Sequence, residues 1–256
     1  MNGASVTPGP TLYAVVAGLA LLGAAVLAGS RLGPGRAVLS ASARAVLQLG
    51  AVSLIIGAVL GSWWATIAFI AVMFVVASVT AARRTGSLRT GWPLALPIAG
   101  GVVPTLALLL GSRALPATAL AVLPSAGILI GGAMTATTLA ARRALDELRT
   151  RHGEYEAGLA LGFSPRDAAL EVCRIPAGQA LVPALDQTRT VGLVTLPGTF
   201  VGVLLGGASP AQAGATQLLI LVALLAVEAI AVAVTVELVA RGRLGGAARF
   251  PLRPPG

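Results

Sequence analysis

The sequence predicts an all-α membrane protein with about seven transmembrane helices. Of its 256 residues, 56% are hydrophobic and only 11% are charged, whereas about a quarter of the residues of a soluble domain are charged. Apolar runs long enough to cross a bilayer recur along the chain. The arginines fall in alternate loops, as a membrane topology requires. We therefore expect a multi-pass protein of a bacterial inner (plasma) membrane.

Seven segments are sufficiently apolar over roughly 20 residues to span the hydrocarbon core. They are Thr11–Gly29, Arg44–Leu60, Trp63–Ala81, Trp92–Leu110, Pro116–Ala140, Thr190–Gly207 and Gly214–Val239. No basic residue precedes the first segment, so we interpret it as a retained helix and not as a signal peptide. The second and sixth segments carry the weakest signals.

The net charge of +9 comes from arginine alone, because the chain contains no lysine. If the N-terminus lies outside and the C-terminus is cytoplasmic, every arginine except Arg113 lies on the cytoplasmic side. The positive-inside rule explains this bias. Since aromatic residues make up only 4% of the chain, we expect the lipid bilayer as a partner and no nucleic acid.

The sequence is organised as one polytopic domain over residues 1–240, with a long cytoplasmic loop at residues 141–189. A Gly-, Pro- and Arg-rich tail at residues 241–256 is expected to be disordered. In the loop, the fifth span should continue past Ala141 as a helix. A short helix should then stop at Gly162, and Ser164, Pro165 and Asp167 should cap a second helix that ends at Pro176. Two short helices between spans are typical of a docking knob for a partner protein.

Three stretches carry a resemblance to a known family. They are Arg-Ala-Val-Leu-Gln-Leu at residues 44–49, residues 124–135 with Glu-Ala-Gly-Leu-Ala-Leu-Gly at 156–162, and Val-Gly-Leu-Val-Thr-Leu-Pro-Gly at 191–198. Over most of its length the chain resembles the iron-export permease family of ABC transporters, which includes bacterial iron-efflux permeases and plant aluminium-tolerance relatives. At Thr199–Val203 the chain departs from the family's Met-Met-Thr-Gly-Gln, which leaves the substrate open.

The resemblance implies a permease subunit of an ABC transporter that exports an iron-like metal ion or a small solute. A separate ABC ATPase subunit would hydrolyse ATP, and two copies of the chain would form a homodimer. The chain has no phosphate-loop lysine, so it cannot itself be a P-loop ATPase. As a transport subunit it is expected to be neither an enzyme nor a binder of a cofactor. By similarity to the Glu-Ala-Ala-x-x-x-Gly importer signature, the ATPase-coupling residues would be Glu154, Glu156, Ala157, Gly158, Leu161 and Gly162.

A second set of residues is small, polar or helix-breaking within the spans. These candidates for translocation or packing are Gln48, Gly127, Gly131, Pro197, Gly198, Gly202, Gly206 and Gln217. Glycines spaced by four residues more often pack helices than line a pore. Pro97, Pro104, Pro124 and Pro197 are each expected to break a helix. Because freed carbonyls must line a cavity or be buried in protein, we expect the pathway near the fourth, fifth and sixth spans.

Glu228 is the only carboxylate deep within a predicted span. A buried acid in a membrane is a candidate ion or proton site, and Glu228 is the weak candidate for a metal ligand here. It is equally consistent with a protonated side chain that hydrogen-bonds a neighbouring helix. A secondary transporter or channel using Glu228 is therefore the alternative function. A seven-helix sensor would need a ligand or retinal site such as a mid-span lysine, and the sequence has none.

Overall fold

A computed structural model describes residues 8–86 and 91–244, which are almost entirely helical. The chain divides into two compact units, residues 1–65 and 66–256. From residue 245 onward, the predicted tail lies outside the described residues.

We number the helices α1 to α10, and short 3₁₀ turns at Trp92–Leu94 and Gln179–Leu181 precede α4 and α8. The helices are α1 Pro10–Gly29, α2 Arg36–Leu60, α3 Trp63–Thr85, α4 Ala95–Gly111, α5 Ala119–Thr150, α6 His152–Ala160, α7 Pro165–Gly178, α8 Val182–Thr190, α9 Gly198–Leu205 and α10 Pro210–Ala240.

The first unit pairs α1 with α2. The two helices approach closely where α2 begins, because a Cβ on Gly35 would lie 2.5 Å from the carbonyl oxygen of Ala24. The sequence placed the start of the second span at Arg44, but α2 begins at Arg36 and is 25 residues long. The second span was therefore predicted too short, and its arginines extend the helix toward the aqueous boundary instead of ending it.

The second unit is built around α10, which packs on α4, α5, α7 and α9. Small residues permit this packing. A Cβ on Gly101 of α4 would lie only 2.6 Å from the carbonyl oxygen of Val227, and a Cβ on Gly132 of α5 would lie 2.3 Å from Leu224 Cδ1. Close backbone approach of this kind supplies the van der Waals contact that holds membrane helices together, because lipid provides little hydrophobic drive between them.

Six helices among the described residues are long and apolar enough to cross a membrane, namely α1, α2, α3, α4 with its preceding turn, α5 and α10. The predicted sixth span, Thr190–Gly207, is not a helix of this kind. It consists of a non-helical loop at residues 191–197 followed by α9, which has eight residues and rises about 12 Å. The non-helical stretch ends at Pro197, which immediately precedes α9 and has no backbone N–H to donate.

The segment between α5 and α10 nevertheless returns from one end of the bundle to the other. The start of α7 lies beside the C-terminal end of α10, where Arg166 pairs with Glu237. The same helix α7 also reaches the end of α5, where Arg151 donates to the carbonyl oxygen of Val172. Because α5 and α10 both end near α7, they run parallel. The chain between them must travel back along the bundle, and it does so without a continuous long helix.

Contrary to the prediction from the sequence, most of these prolines do not break a helix. Pro104, Pro124 and Pro176 lie inside α4, α5 and α7, which continue through them. At Pro176 the reason is visible. A proline leaves the carbonyl four residues earlier without its helical donor, and that carbonyl, on Val172, accepts from the Arg151 guanidinium at 3.4 Å instead.

The two neighbouring glycines of α4 give a matched test of this packing. We expect Gly101→Ala to lower the free energy of unfolding by about 1–3 kcal/mol, because the added methyl group meets the backbone of α10. Gly100 has no atom within 4 Å of a Cβ position, so Gly100→Ala should be neutral or stabilising, by up to about 1 kcal/mol. Thermal unfolding in detergent measures both. Equal effects of the two substitutions would contradict the assigned α4–α10 contact.

Candidate coupling and translocation sites

The helix α6 ends in a tight turn at Gly162, as the sequence predicted. Gly162 has a φ of +89°, a conformation that favours glycine. Its N–H donates to the carbonyl of Leu159, and the N–H of Phe163 donates to the carbonyl of Gly158, both at 3.0 Å. This pair of bonds is the glycine-terminated helix stop known as the Schellman motif. It reverses the chain sharply between α6 and α7.

The start of α7 is capped by Ser164. The hydroxyl oxygen accepts from the N–H of Asp167 at 3.2 Å, and Pro165 occupies the first turn, as predicted. The capping box itself differs from the prediction, since the Asp167 carboxylate accepts from the Ser164 hydroxyl at 2.6 Å. The helices α6 and α7 pack closely, and a Cβ on Gly158 would lie 3.1 Å from Ala168 Cβ. The two short helices therefore form a compact unit, which we call the knob (residues 152–178).

An open cavity of about 360 Å³ lies on the knob between α6 and α7. Four of the six predicted coupling residues line it, namely Glu154, Ala157, Gly158 and Leu161. The other two, Glu156 and Gly162, are exposed beside it. Leu161 is 79% exposed, and Phe163 is also exposed on the cavity wall. The knob thus presents an apolar and acidic surface to its surroundings.

The acidic residues of α6 are held by neighbours one helical turn away. Arg151 Nε donates to Glu154 Oε1 at 2.7 Å, and this hydrogen bond lowers the pKa of the Glu154 carboxyl. Glu156 Oε1 lies 3.4 Å from His152 Nδ1. Below the knob surface, Tyr155 is buried, and its hydroxyl has no hydrogen-bond partner among the described residues. The burial of Tyr155 fixes which face of α6 points inward and which carries the acids.

The knob is attached to the end of α10 by a bidentate ion pair. Arg166 Nε and Nη2 lie 2.7 and 2.8 Å from the two carboxylate oxygens of Glu237. Glu237 also accepts from Arg241 at 2.5 Å. The hydrogen bond to Glu237 raises the pKa of the Arg166 guanidinium. In the sequence, Arg166 and Arg241 indicated only the membrane topology, and no sequence signal joins Arg166 to a partner 71 residues away.

The body of α7 is buried against the rest of the unit. Cys173 has no exposed surface, and burial raises the pKa of its thiol to about 11. Just beyond α7, the Gln179 side chain accepts from Arg143 of α5. Contacts at both ends of α7 therefore tie the knob to α5 and to α10.

Gln217 caps the short helix α9 from a neighbouring helix. Its Oε1 accepts from the N–H of Phe200 at 3.2 Å, which is one of the first-turn donors that a helix leaves without an internal partner. Pro197 precedes α9 and offers no side-chain cap. Gln217 is buried and also lines a mostly apolar cavity of about 330 Å³ between the residue 191–197 loop and α10. Pro197 lines the same cavity, so two of the predicted residues meet there.

The predicted glycines separate into two groups. Gly127 meets Met73 of α3, since its Cβ would lie 2.9 Å from Met73 Cε. By contrast, Gly131, Gly198 and Gly202 have no atom near a Cβ position, and Gly206 meets only carbonyls of its own helix. Four-residue glycine spacing thus selected one close contact, at Gly127, but it did not select Gly101 and Gly132, which meet α10 more closely. Gln48 lies exposed on α2 in the first unit.

Glu228 lies in the middle of α10 and is 8% exposed. It faces α5, where a Cβ on Gly132 would lie 2.7 Å from Glu228 Oε1. The absence of a side chain at Gly132 makes room for the carboxyl group. Within residues 8–86 and 91–244, no group of three or more His, Cys, Asp or Glu side chains is placed to hold a metal ion.

The Gln217 cap can be tested by amide hydrogen exchange. We expect Gln217→Met, which keeps the length of the side chain but removes the acceptor, to speed exchange across Gly198–Leu205, because an unpaired buried donor costs about 1–3 kcal/mol. Thr216→Val is the matched control, since that exposed hydroxyl donates within α10 to Gln212. Unchanged exchange in the Gln217 variant would contradict the cap.

Comparison with known proteins identifies the family. A family model described as "Uncharacterised protein family (UPF0014)" matches residues 11–243. The rice (Oryza sativa subsp. japonica) UPF0014 membrane protein STAR2 is 34% identical over 75% of this chain and 68% of its own length. The Arabidopsis thaliana Protein ALUMINUM SENSITIVE 3 is 34% identical over 70% of this chain and 66% of its own. The Escherichia coli (strain K12) Probable iron export permease protein FetB is 31% identical over 50% of this chain and 48% of its own. No solved structure matches the chain. The family resemblance found in the sequence is confirmed, and the chain belongs to the UPF0014 family of multi-pass membrane proteins.

Proposed function

We propose that this chain is the membrane-spanning permease subunit of an ABC transporter. It would work with a separate ATPase subunit that binds and hydrolyses ATP, and it would not be an enzyme itself. Membership of a family that includes a protein named as a probable iron export permease supports the assignment. The observation that carries the proposal is the knob, which exposes one face and is tied to α10 by Arg166 and Glu237.

The knob suits the transmission of force from a soluble partner. Its exposed surface combines Leu161, Phe163 and the acids of α6, and a surface with an apolar centre and charged margins is typical of a protein interface. Its inner side is fixed to α5 and α10. A partner that moved the knob would therefore move two long helices of the bundle together.

The loop at residues 191–197 supports a homodimer. Leu193 is 91% exposed and Val194 is also exposed, and regular helical pairing is interrupted at residues 191–197, where an isolated bridge joins Val191 and Thr195. Backbone donors at membrane depth are tolerated only when protein or water covers them. A second copy of the chain, packed loop to loop, would provide that cover.

The substrate we propose is an iron-like metal ion or a small solute, moved outward. The direction and the metal follow the printed name of the Escherichia coli relative. The buried carboxyl of Glu228 favours a second candidate function, an ATPase-independent transporter or channel with an ion or proton site there.

A co-purification experiment tests the coupling role. The chain is co-expressed with a candidate ATP-binding-cassette protein, and the two are purified together in detergent. We expect Leu161→Glu to reduce the co-purified ATPase at least severalfold, because it places a charge on the exposed apolar part of the knob. Gln187→Glu on α8 is the control, since it makes the same change in charge at an exposed loop residue that does not line the cavity.

The outcomes are distinct. Equal retention of the ATPase by Leu161→Glu, Gln187→Glu and the unmodified chain would contradict docking at the knob. Transport in proteoliposomes that needs no ATPase, and that is abolished by Glu228→Gln, would instead favour the second candidate. Gel filtration of each variant checks that it remains folded.

A further inference from the structure

A basic cavity lies between the C-terminal end of α3 and the C-terminal part of α5. It has a volume of about 430 Å³ and is open to the surroundings. Its walls are formed by Arg83, Arg84, Thr85, Gly86, Arg142, Leu145, Asp146 and Arg149. Four guanidinium groups thus meet one carboxylate in the same cavity. Neither the knob nor the α9 region contributes a residue to it.

The arginines that line this cavity outnumber the carboxylates that could pair with them. Asp146 pairs with Arg149 at 3.0 Å. Arg142 donates through Nε to the carbonyl oxygen of Arg84 at 2.8 Å, which satisfies a carbonyl at the end of α3 and holds the two helices together. The guanidinium groups of Arg83 and Arg84 have no acidic partner among the described residues. The cavity therefore carries a net positive charge.

The cavity lies where the two helices leave the apolar layer. The helix α3 contains no charged residue from Trp63 to Ala82, and then has Arg83 and Arg84. The helix α5 contains none from Ala119 to Ala141, and then has Arg142 and Arg143. Arg142 touches Arg84, so both helices reach their first charges at the same level. This level is the membrane boundary, where phospholipid headgroups lie.

We propose that this cavity binds the phosphate group of an anionic phospholipid. The planar guanidinium fork matches phosphate oxygens in pairs, and basic pockets between transmembrane helices at the cytoplasmic boundary suit anionic headgroups. The acyl chains would lie along the apolar surface of α3 and α5. A bound lipid would bridge the ends of the two helices and reinforce the Arg142 contact. Free phosphate shares this chemistry, so the test must separate the two sources.

The experiment is lipid binding by native mass spectrometry of the purified, delipidated protein. Phosphatidylglycerol is titrated against phosphatidylcholine, and the affinity of each bound lipid is compared. The test variant is Arg83→Gln/Arg84→Gln, which removes two guanidinium groups without removing any hydrogen bond of the described structure. The control is Arg174→Gln/Arg189→Gln, which makes the same change in charge at exposed residues outside the cavity.

We expect the unmodified protein and the control to prefer phosphatidylglycerol, and the test variant to bind it about tenfold more weakly. Arg83→Lys/Arg84→Lys, which keeps the charge but loses the fork, should bind with intermediate affinity and guards against a folding defect in the glutamine variant. Equal binding by the test variant and the control would overturn the proposal. So would stabilisation of the delipidated protein by inorganic phosphate as great as that by phosphatidylglycerol, because the site would then serve a soluble anion.

Discussion

Every backbone N–H and C=O group inside a bilayer needs a partner within the protein, because hydrocarbon offers none. The unit built around α10 depends on this constraint. Long helices satisfy it internally, and they approach one another closely where Gly101 and Gly132 leave room for the backbone and side chains of α10. Alanines continue the contact along α5 and α10, including Ala133, Ala140 and Ala231, which have no exposed surface. Tight packing of small residues replaces the hydrophobic drive that water would supply.

The segment between α8 and α10 does not pair its backbone groups within one long helix. It crosses back along the bundle as a loop and an eight-residue helix, so several of its donors need partners from elsewhere. Gln217 supplies one of them, at Phe200. The Gly-Leu-Val-Thr-Leu-Pro-Gly stretch that carries the family resemblance is this same loop. This loop leaves Leu193 and Val194 exposed, and we propose that a second copy of the chain covers it.

Composition and periodicity predicted the helical membrane architecture well, because span length and the local turn signals of Gly162 and Ser164 are properties of neighbouring residues. These sequence signals failed where the local structure depends on contacts between residues that are far apart in the chain. Pro176 looks like a helix breaker because it leaves the carbonyl of Val172 without a helical donor. The Arg151 guanidinium donates to that carbonyl instead, and the helix continues. Glycine spacing selected Gly127, which does pack on Met73, but also Gly131 and Gly202, which meet no atom. It missed Gly101 and Gly132, because the position of the facing helix decides which glycine makes a close contact.

We propose that movement of the knob reaches α10 through Arg166 and Glu237. Both side chains of this ion pair are partly exposed, and an exposed pair stabilises a fold only slightly, so its removal should leave the fold intact. Cys173 is buried and its thiol pKa is raised to about 11, so a new cysteine at Ala211, exposed near the far end of α10, can be labelled selectively with an environment-sensitive fluorophore. In the complex with its ATPase, trapping ATP should change this fluorescence. Glu237→Gln and Arg166→Gln should each reduce the change severalfold while the ATPase stays bound, and the double variant should be no worse than either single one. An undiminished fluorescence change in Glu237→Gln would contradict the account.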